Sequence, residues 1–505
     1  MTPDANLARN HFVDLARGLK DARVVPVWRE SLLDTDTPVS AFAKLRRGPF
    51  GFLLESAPAG GETWARFTFL GTEPIRAWKL EGTTIQDWKP GAGWHSTRVV
   101  EDPLSDLDEM LSARAVVEVP ELGNFWSGAV GFFGYDVVRL IEKLPHRPPS
   151  TNRIPDAVFV FTRSMVIIDN LRSRARVVVG VDVSPGMDDV TLEQLYEDAS
   201  SEISEIESRL REPSPLPFLS LDSGVAPARG KSSIERSAFI EKVEAIREHI
   251  RAGDCFQALL ARRIELDADF DSTTLYRALR GLNPSPYMYH LVLDGVEIVG
   301  SSPELLVRLE KDRVTLRPIA GTRPRSLLRE RDDELSAELL ADPKERAEHI
   351  MLVDLGRNDV GRVARFGTVE VTELMKIEKY SHVLHIVSQV EGTLDRERTA
   401  MDVFRATFPA GTMTGAPKVR AMQIIDDLEP VSRGAYAGAV GYIAGGGSRM
   451  DLAITIRTCV IAGGVASVQA GAGIVADSVG ETEWHETESK AGALLSAIGQ
   501  ARAAG

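Results

Sequence analysis

The chain has 505 residues, 43% hydrophobic and 26% charged, so it can bury a large core and is neither fibrous nor disordered. At about 150 residues per domain its length implies roughly three units, or fewer large ones. A formal charge of −14 and a pI near 5.3 repel polyanions at a distance, which weighs against nucleic acid or an anionic membrane as partner.

In chain order, the opening "MTPDANLARN" is charged and lacks an apolar run, unlike a signal peptide, and a cytoplasmic location is expected. The β-branched run "RVVVGVDV" (176–183) reads as a strand and "TLEQLYEDASSEISEIESRLRE" (191–212) as a helix. Pro, Ser and Gly then concentrate over 211–233, which suggests an N-terminal portion (1–215), a linker (216–233) and a C-terminal portion (234–505). Further on, "AFIEKVEAIREHIRAG" (238–253) and "KVRAMQIIDDLE" (418–429) have helical periodicity, whereas "VEIVGSS" (296–302) and "HVLHIVSQV" (382–390) read as strands. The class is therefore α+β. The uncharged stretch 459–476 approaches membrane-spanning length but holds Ser467, Gln469 and several glycines, and a hairpin turning at Gly463-Gly464 explains it better. Cys255 and Cys459, the only cysteines, cannot form a disulfide framework, and their spacing suggests no zinc site.

Two acidic clusters carry the first chemical signal. In "DPKERAEHIMLVDLGRND" (342–359), Glu345 and Glu348 continue the helical stripe of Leu352 and Leu355 and so point inward. In "ETEWHETESKAGALL" (481–495), Glu483, Glu486 and Lys490 repeat that spacing. Either cluster alone fits a solvated face with ordinary charge pairs. If they face each other, the carboxylates repel unless a cation neutralises them, and oxygen-only ligands suit Mg²⁺. Lys490 would add a point charge for an anionic ligand. His385 falls in an apolar strand, where a buried imidazole is either structural or a proton carrier; His382 takes the opposite face. "GAGIVA" (471–476) matches G-x-G-x-x-A, but the segment after it is broken by Gly480, so a dinucleotide site is rejected. "FPAGTMTGAPK" (408–418) leads glycines and Thr412 into a helix, as either a plain entry loop or an anion-holding turn. No nucleophile elbow occurs.

Taken together, "PIAGTRPR" (318–325), the two acidic motifs, "YSHVLHIVS", "GTMTGAPKVRAM", "AITIRT" (453–458) and "QAGAGIVADS" resemble the chorismate-utilising enzymes, with "FLLES" (52–56) and "GAVGFFGYD" (128–136) extending the likeness over nearly the whole chain. The resemblance implies a large α+β fold with central packed β-sheets flanked by helices, its two portions interwoven. It implies Mg²⁺ held by Glu348 and Glu486, with Glu345 and Glu483 close by, and the metal on the ring carboxylate of chorismate. Glu304 takes the position of the acid that protonates the leaving C4 hydroxyl, and His385 that of the histidine linked to pyruvate loss. Arg457 and Lys490 match binders of substrate carboxylates, with Tyr436, Thr322, Thr412, Gly471 and Gly473 around the same pocket.

Within the family, Gln257 stands where enzymes that add water carry a lysine base. An amide cannot remove a proton, whereas ammonia needs no such activation. Ala320 replaces a lysine that attacks the ring in many aminodeoxychorismate synthases. Both point to the anthranilate-forming branch; the alternatives are the aminodeoxychorismate reaction and a silent tryptophan-sensing scaffold. Ala261 stands where serine is usual, which bears on the pocket shape around Gln257. "LLES" and "NPSPYM" (283–288) resemble the two walls of a feedback tryptophan site, with Leu54, Glu55, Ser56, Asn283, Pro286, Tyr287 and Met288 around the inhibitor. With no glutaminase nucleophile in the chain, ammonia is expected from a glutamine amidotransferase subunit, in a complex of two copies of each.

Overall fold

The computed structural model describes residues 5–56, 66–151, 154–326, 328–380 and 383–504, with side chains from residue 8; His382 lies outside them. Two 12-stranded sheets, each antiparallel between neighbours, organise the chain. The first runs from Arg23–Leu32 through Arg174–Val183, Ser164–Asp169, Phe67–Thr72 and Phe50–Glu55. It continues through Tyr287–Leu293, Val296–Ser302, Thr458–Ala462, Val465–Ile474 and Gln257–Asp267 to Lys231–Ser232. The second runs from Ile319–Pro324 and Val383–Thr393 to Thr84–Lys89 and Gly93–Val99. Residues before and after the 211–233 segment supply strands to both sheets. The join in the first sheet is Phe50–Glu55 against Tyr287–Leu293, and in the second Gly128–Phe133 against Ala439–Ala444.

A cluster including Phe50, Phe52, Phe132, Val160, Leu291 and Ala453 fills the space between the sheets. The outer faces are covered by helices, with Ala491, Leu494 and Ile498 against the first sheet and Val353, Val360 and Phe404 against the second. This explains why so many strands read as continuous apolar runs: both faces are buried. The 459–476 stretch is the expected hairpin, and Gly463 and Gly464 take φ of 57° and 79° at its turn, a region glycine enters without a Cβ penalty. Among the described residues no helix is long and apolar enough to cross a membrane.

Candidate active site

Asp342 caps the Pro343–Gly361 helix, accepting from the N–H groups of Lys344 and Glu345 at 3.0 and 3.3 Å, and Pro343 fits the first turn because it has no N–H to satisfy. The helix therefore starts where Glu345 and Glu348 turn inward. The Gly480–Ala503 helix has its roll fixed from the other side. Arg262 lies over the Trp484 ring at 3.9 Å and donates to Thr487 over 2.7 Å, and Glu483, Glu486 and Lys490 share the neighbouring face of the helix.

The two helices bring the acidic clusters together. Burial, then the charge of Glu345, raises the Glu348 carboxyl, and Glu486 adds to the effect. Burial also raises Glu483, against a hydrogen bond from Ser478 and with Glu486 again unfavourable. The other three glutamates also have counterparts: Arg323 pairs with Glu345 at 3.1 Å, Lys490 with Glu486 at 2.6 Å, and Gln257 Nε2 donates to Glu348 over 3.2 Å. Among the described residues no three such groups gather at ligand spacing. The oxygen-only donor set and its mutual repulsion nonetheless fit a hard divalent cation such as Mg²⁺.

Glu304 and His385 lie beside these helices. Thr412 Oγ1 donates to Glu304 Oε1 over 2.9 Å. Burial pushes this carboxyl up to about 7, although Thr412, Lys490 and Arg457 all favour its ionised form. His385 pairs with Thr322 in the strand ladder, and its Nδ1 is 2.9 Å from Gly321 O and 3.2 Å from Thr322 Oγ1. A carbonyl only accepts, so Nδ1 carries the proton and Nε2 is the basic nitrogen. Burial lowers the imidazole, helped by Arg457 and Lys490. These shared electrostatic partners place Glu304, His385, Arg457 and Lys490 around one space.

The backbone is bent to serve this space. Arg457 has φ of 49°, a left-handed conformation that costs a non-glycine residue roughly 1–3 kcal/mol and persists only where the surroundings impose it. Gly473 and Gly415 flank Gln257: a Cβ on Gly473 would come 2.5 Å from Gln257 Nε2, and one on Gly415 2.0 Å from Gln257 O. Gly471 O accepts from Lys490 Nζ over 2.9 Å, and Tyr436 is buried nearby. The residue at the family's serine position, Ala261, buries its methyl in an apolar cluster while its N–H donates to Glu429 over 2.9 Å.

A second opening lies elsewhere. A cavity of about 420 Å³ lies between the sheets, lined by Leu54, Glu55, Ser56, Pro286, Tyr287 and Met288. The two quoted motifs thus form adjacent strands facing one space. Asn283 is the exception: it ends the Ser272–Leu282 helix outside the lining, because the motif turns before entering its strand. Glu55 is held from behind by Arg280 at 2.6 Å and Tyr276 at 3.5 Å. Sequence reading missed the floor, where Arg308 pairs with Asp451 at 2.7 Å beside Tyr442. The strands of Arg308 and Asp451 pair across the second sheet, a non-local register with no local signature.

A strand-borne amide, a buried acid and two cations facing an acidic helix pair form a site for a small anion and an acid-assisted elimination. The sequence profile of the chorismate binding enzyme family matches residues 71–496, and the chain belongs to that family. It is 44% identical to anthranilate synthase component 1 of Acinetobacter calcoaceticus, covering 94% of this chain and 95% of that protein, and 45% identical to the one of Aquifex aeolicus, covering 94% of each. Its structure is similar to that of anthranilate synthase component I from Streptococcus pneumoniae, with a TM-score of 0.74, 37% identity and coverage of 92% and 99% of the two chains. The menaquinone-specific isochorismate synthase of Escherichia coli, 19% identical at a TM-score of 0.67, shares the fold.

Proposed function

We infer that this chain converts chorismate and ammonia into anthranilate and pyruvate, the first committed chemistry toward tryptophan, with ammonia delivered from glutamine by a separate amidotransferase subunit. The observation that carries this reading is Gln257. Its amide donates to Glu348, and its carbonyl Oε1 is buried with no hydrogen-bond partner among the described residues. A neutral amide there cannot activate water, but its carbonyl can accept from ammonia, which attacks without a base.

The geometry supports the other roles. Arg457 and Lys490 bind the substrate's carboxylates, which reconciles a net acidic chain with a dianionic substrate. Glu304, whose burial keeps a large fraction of it protonated near neutrality, donates to the departing C4 hydroxyl. His385, held through Nδ1 by Gly321 O with Thr322 beside it, moves the proton in the aromatising loss of pyruvate. Tyr436, Thr412, Gly471 and Gly473 shape the walls. Glu348 and Glu486, with Glu345 and Glu483 behind them, would hold Mg²⁺, which supplies neutralisation of the ring carboxylate when bound. Lys490 would then leave Glu486 for the substrate. The cavity around Ser56 and Met288 would take tryptophan as feedback inhibitor. The acidic chain with buried, unpaired cysteines fits the cytoplasm.

The test is incubation of the purified chain with chorismate, Mg²⁺ and an ammonium salt at alkaline pH. Anthranilate fluorescence is the expected result. A non-fluorescent amine would indicate the aminodeoxychorismate reaction, and absence of turnover a non-catalytic scaffold.

A further inference from the structure

An ion pair outside the reacting groups joins three walls of the site. Arg433 and Glu429 are both buried, with side chains 1% and 2% exposed. Arg433 Nε and Nη2 donate to the two carboxylate oxygens of Glu429 over 2.9 and 2.7 Å, a bidentate geometry. Its remaining donors leave the pair: Nη1 reaches Met413 O at 2.7 Å and Nη2 reaches Leu259 O at 3.0 Å. Glu429 Oε1 also accepts from the Ala261 N–H over 2.9 Å. The guanidinium lies 4.7 Å from the Tyr135 ring centre and 5.8 Å from that of Tyr436.

These end points are not scattered. Met413 follows Thr412, the residue that donates to Glu304. Leu259 and Ala261 continue the strand that begins at Gln257, and Tyr436 lies three residues beyond Arg433. Taking two charges out of water is costly, and apolar residues of equal volume often stabilise a protein as well or better. A pair that binds backbone on separate segments does what a hydrophobic filler cannot: it fixes the distance and rotation between them.

We propose that Arg433 and Glu429 form a positioning pair, without contact to substrate, that sets the Thr412 turn, the Gln257 strand and Tyr436 in register so that Glu304 and Gln257 address the same chorismate ring. This rests on the anthranilate-forming reading above. Lysine at 433 keeps the charge and one bond to Glu429, but it lacks the planar fork needed to reach Met413 O and Leu259 O together.

The test compares wild type with Arg433→Lys and with Glu429→Gln, which keeps a carbonyl oxygen for Ala261 N–H. Melting temperature, circular dichroism, kcat, and KM for chorismate, for ammonia and, at saturating substrates, for Mg²⁺ are measured for each. The expected result is a folded Arg433→Lys protein with kcat/KM for chorismate reduced about tenfold to a hundredfold, since small misplacements of this kind are costly. The smaller loss belongs to Glu429→Gln, and KM for Mg²⁺ stays at the wild-type value. A folded Arg433→Lys variant with wild-type kcat and KM would overturn the positioning role alone. Failure of both variants to fold would also overturn it, by making the pair structural. A wild-type chain that forms no anthranilate would remove the functional reading, and this role with it.

Discussion

Gln257 and Glu348 are one hydrogen bond apart, 3.2 Å from Nε2 to Oε1, although one belongs to a sheet strand and the other to an outer helix. The bond fixes which end of the amide faces the carboxylate and so which end is left for a ligand. Replacing Gln257 by leucine removes both functions at similar volume. An orphaned buried polar group costs about 1–3 kcal/mol, so kcat/KM for ammonia should fall roughly tenfold to a hundredfold. Initial rates against ammonium concentration at fixed chorismate measure this; an unchanged ammonia dependence would remove Gln257 from the nucleophile's path.

Glu304 makes both its acid role and the stability of the fold decline as pH rises. Its burial raises the carboxyl from 4.5 to about 7. Below pH 4.5 the folded and unfolded chains both carry the proton. Between 4.5 and 7 the folded chain holds it more tightly, so stability falls as pH rises, and above 7 the full penalty of about 3 kcal/mol applies. Glu304→Gln should therefore melt higher than wild type at pH 8 and no differently at pH 4. The same substitution should lower kcat about a hundredfold or more, because the amide cannot donate a proton to the leaving group. In wild type, protonated Glu304 becomes scarcer as neutral ammonia becomes more plentiful, so kcat/KM for total ammonium should pass through a maximum. A variant that keeps the wild-type profile would exclude Glu304 as the acid.

How much of this was legible in the sequence follows from what each signal depends on. The Pro343–Gly361 helix and the 458–474 hairpin are specified by local features, a capping aspartate with proline and a Gly-Gly turn, and both appear as expected. Inward-facing Glu345 and Glu348 could be read from helical spacing alone. Their convergence on Glu483 and Glu486 could not, because it depends on how two helices pack against shared sheets. The same limit hid Arg323 beside Glu345, the Arg308–Asp451 floor and the Glu429–Arg433 pair, all of them contacts between separate segments. Asn283 was misplaced for the converse reason. Belonging to a motif by sequence, it is separated from the other motif residues by the turn into their strand.

Mg²⁺ binding should weaken as pH falls, and earlier than ordinary carboxylates would allow. Glu348 and Glu483 are both raised by burial and by neighbouring carboxylates, so protons compete with the metal at higher pH than usual. Titration calorimetry between pH 8 and about 5.5 should show a falling affinity with protons released on binding. At a hundredfold excess over Kd the metal should stabilise the chain by about 2.7 kcal/mol, and Glu348→Gln should abolish that increment. Metal affinity independent of pH would place the ion away from these residues.

The cavity between the sheets gives a prediction separable from catalysis. At about 420 Å³ it is within the range of small-molecule pockets, and its lining combines an aromatic and sulfur-containing wall, Tyr287 and Met288, with the polar Glu55 and Ser56. An indole would lie against the first and an ammonium group against the second. Leu54→Trp fills the empty volume with the protein's own ring. Leu54 is half-buried on the cavity side of its strand, so the larger side chain should not cause the 1–3 kcal/mol cost of overpacking a filled core. Tryptophan should inhibit this variant at least tenfold less well than wild type, while kcat and KM for chorismate remain within about twofold, since Leu54 belongs to neither acidic helix. Anthranilate formation titrated with tryptophan measures both quantities. Wild-type activity that persists at saturating tryptophan would show that this cavity is not a feedback site, and a parallel loss of kcat in the variant would show that its walls support the catalytic centre instead.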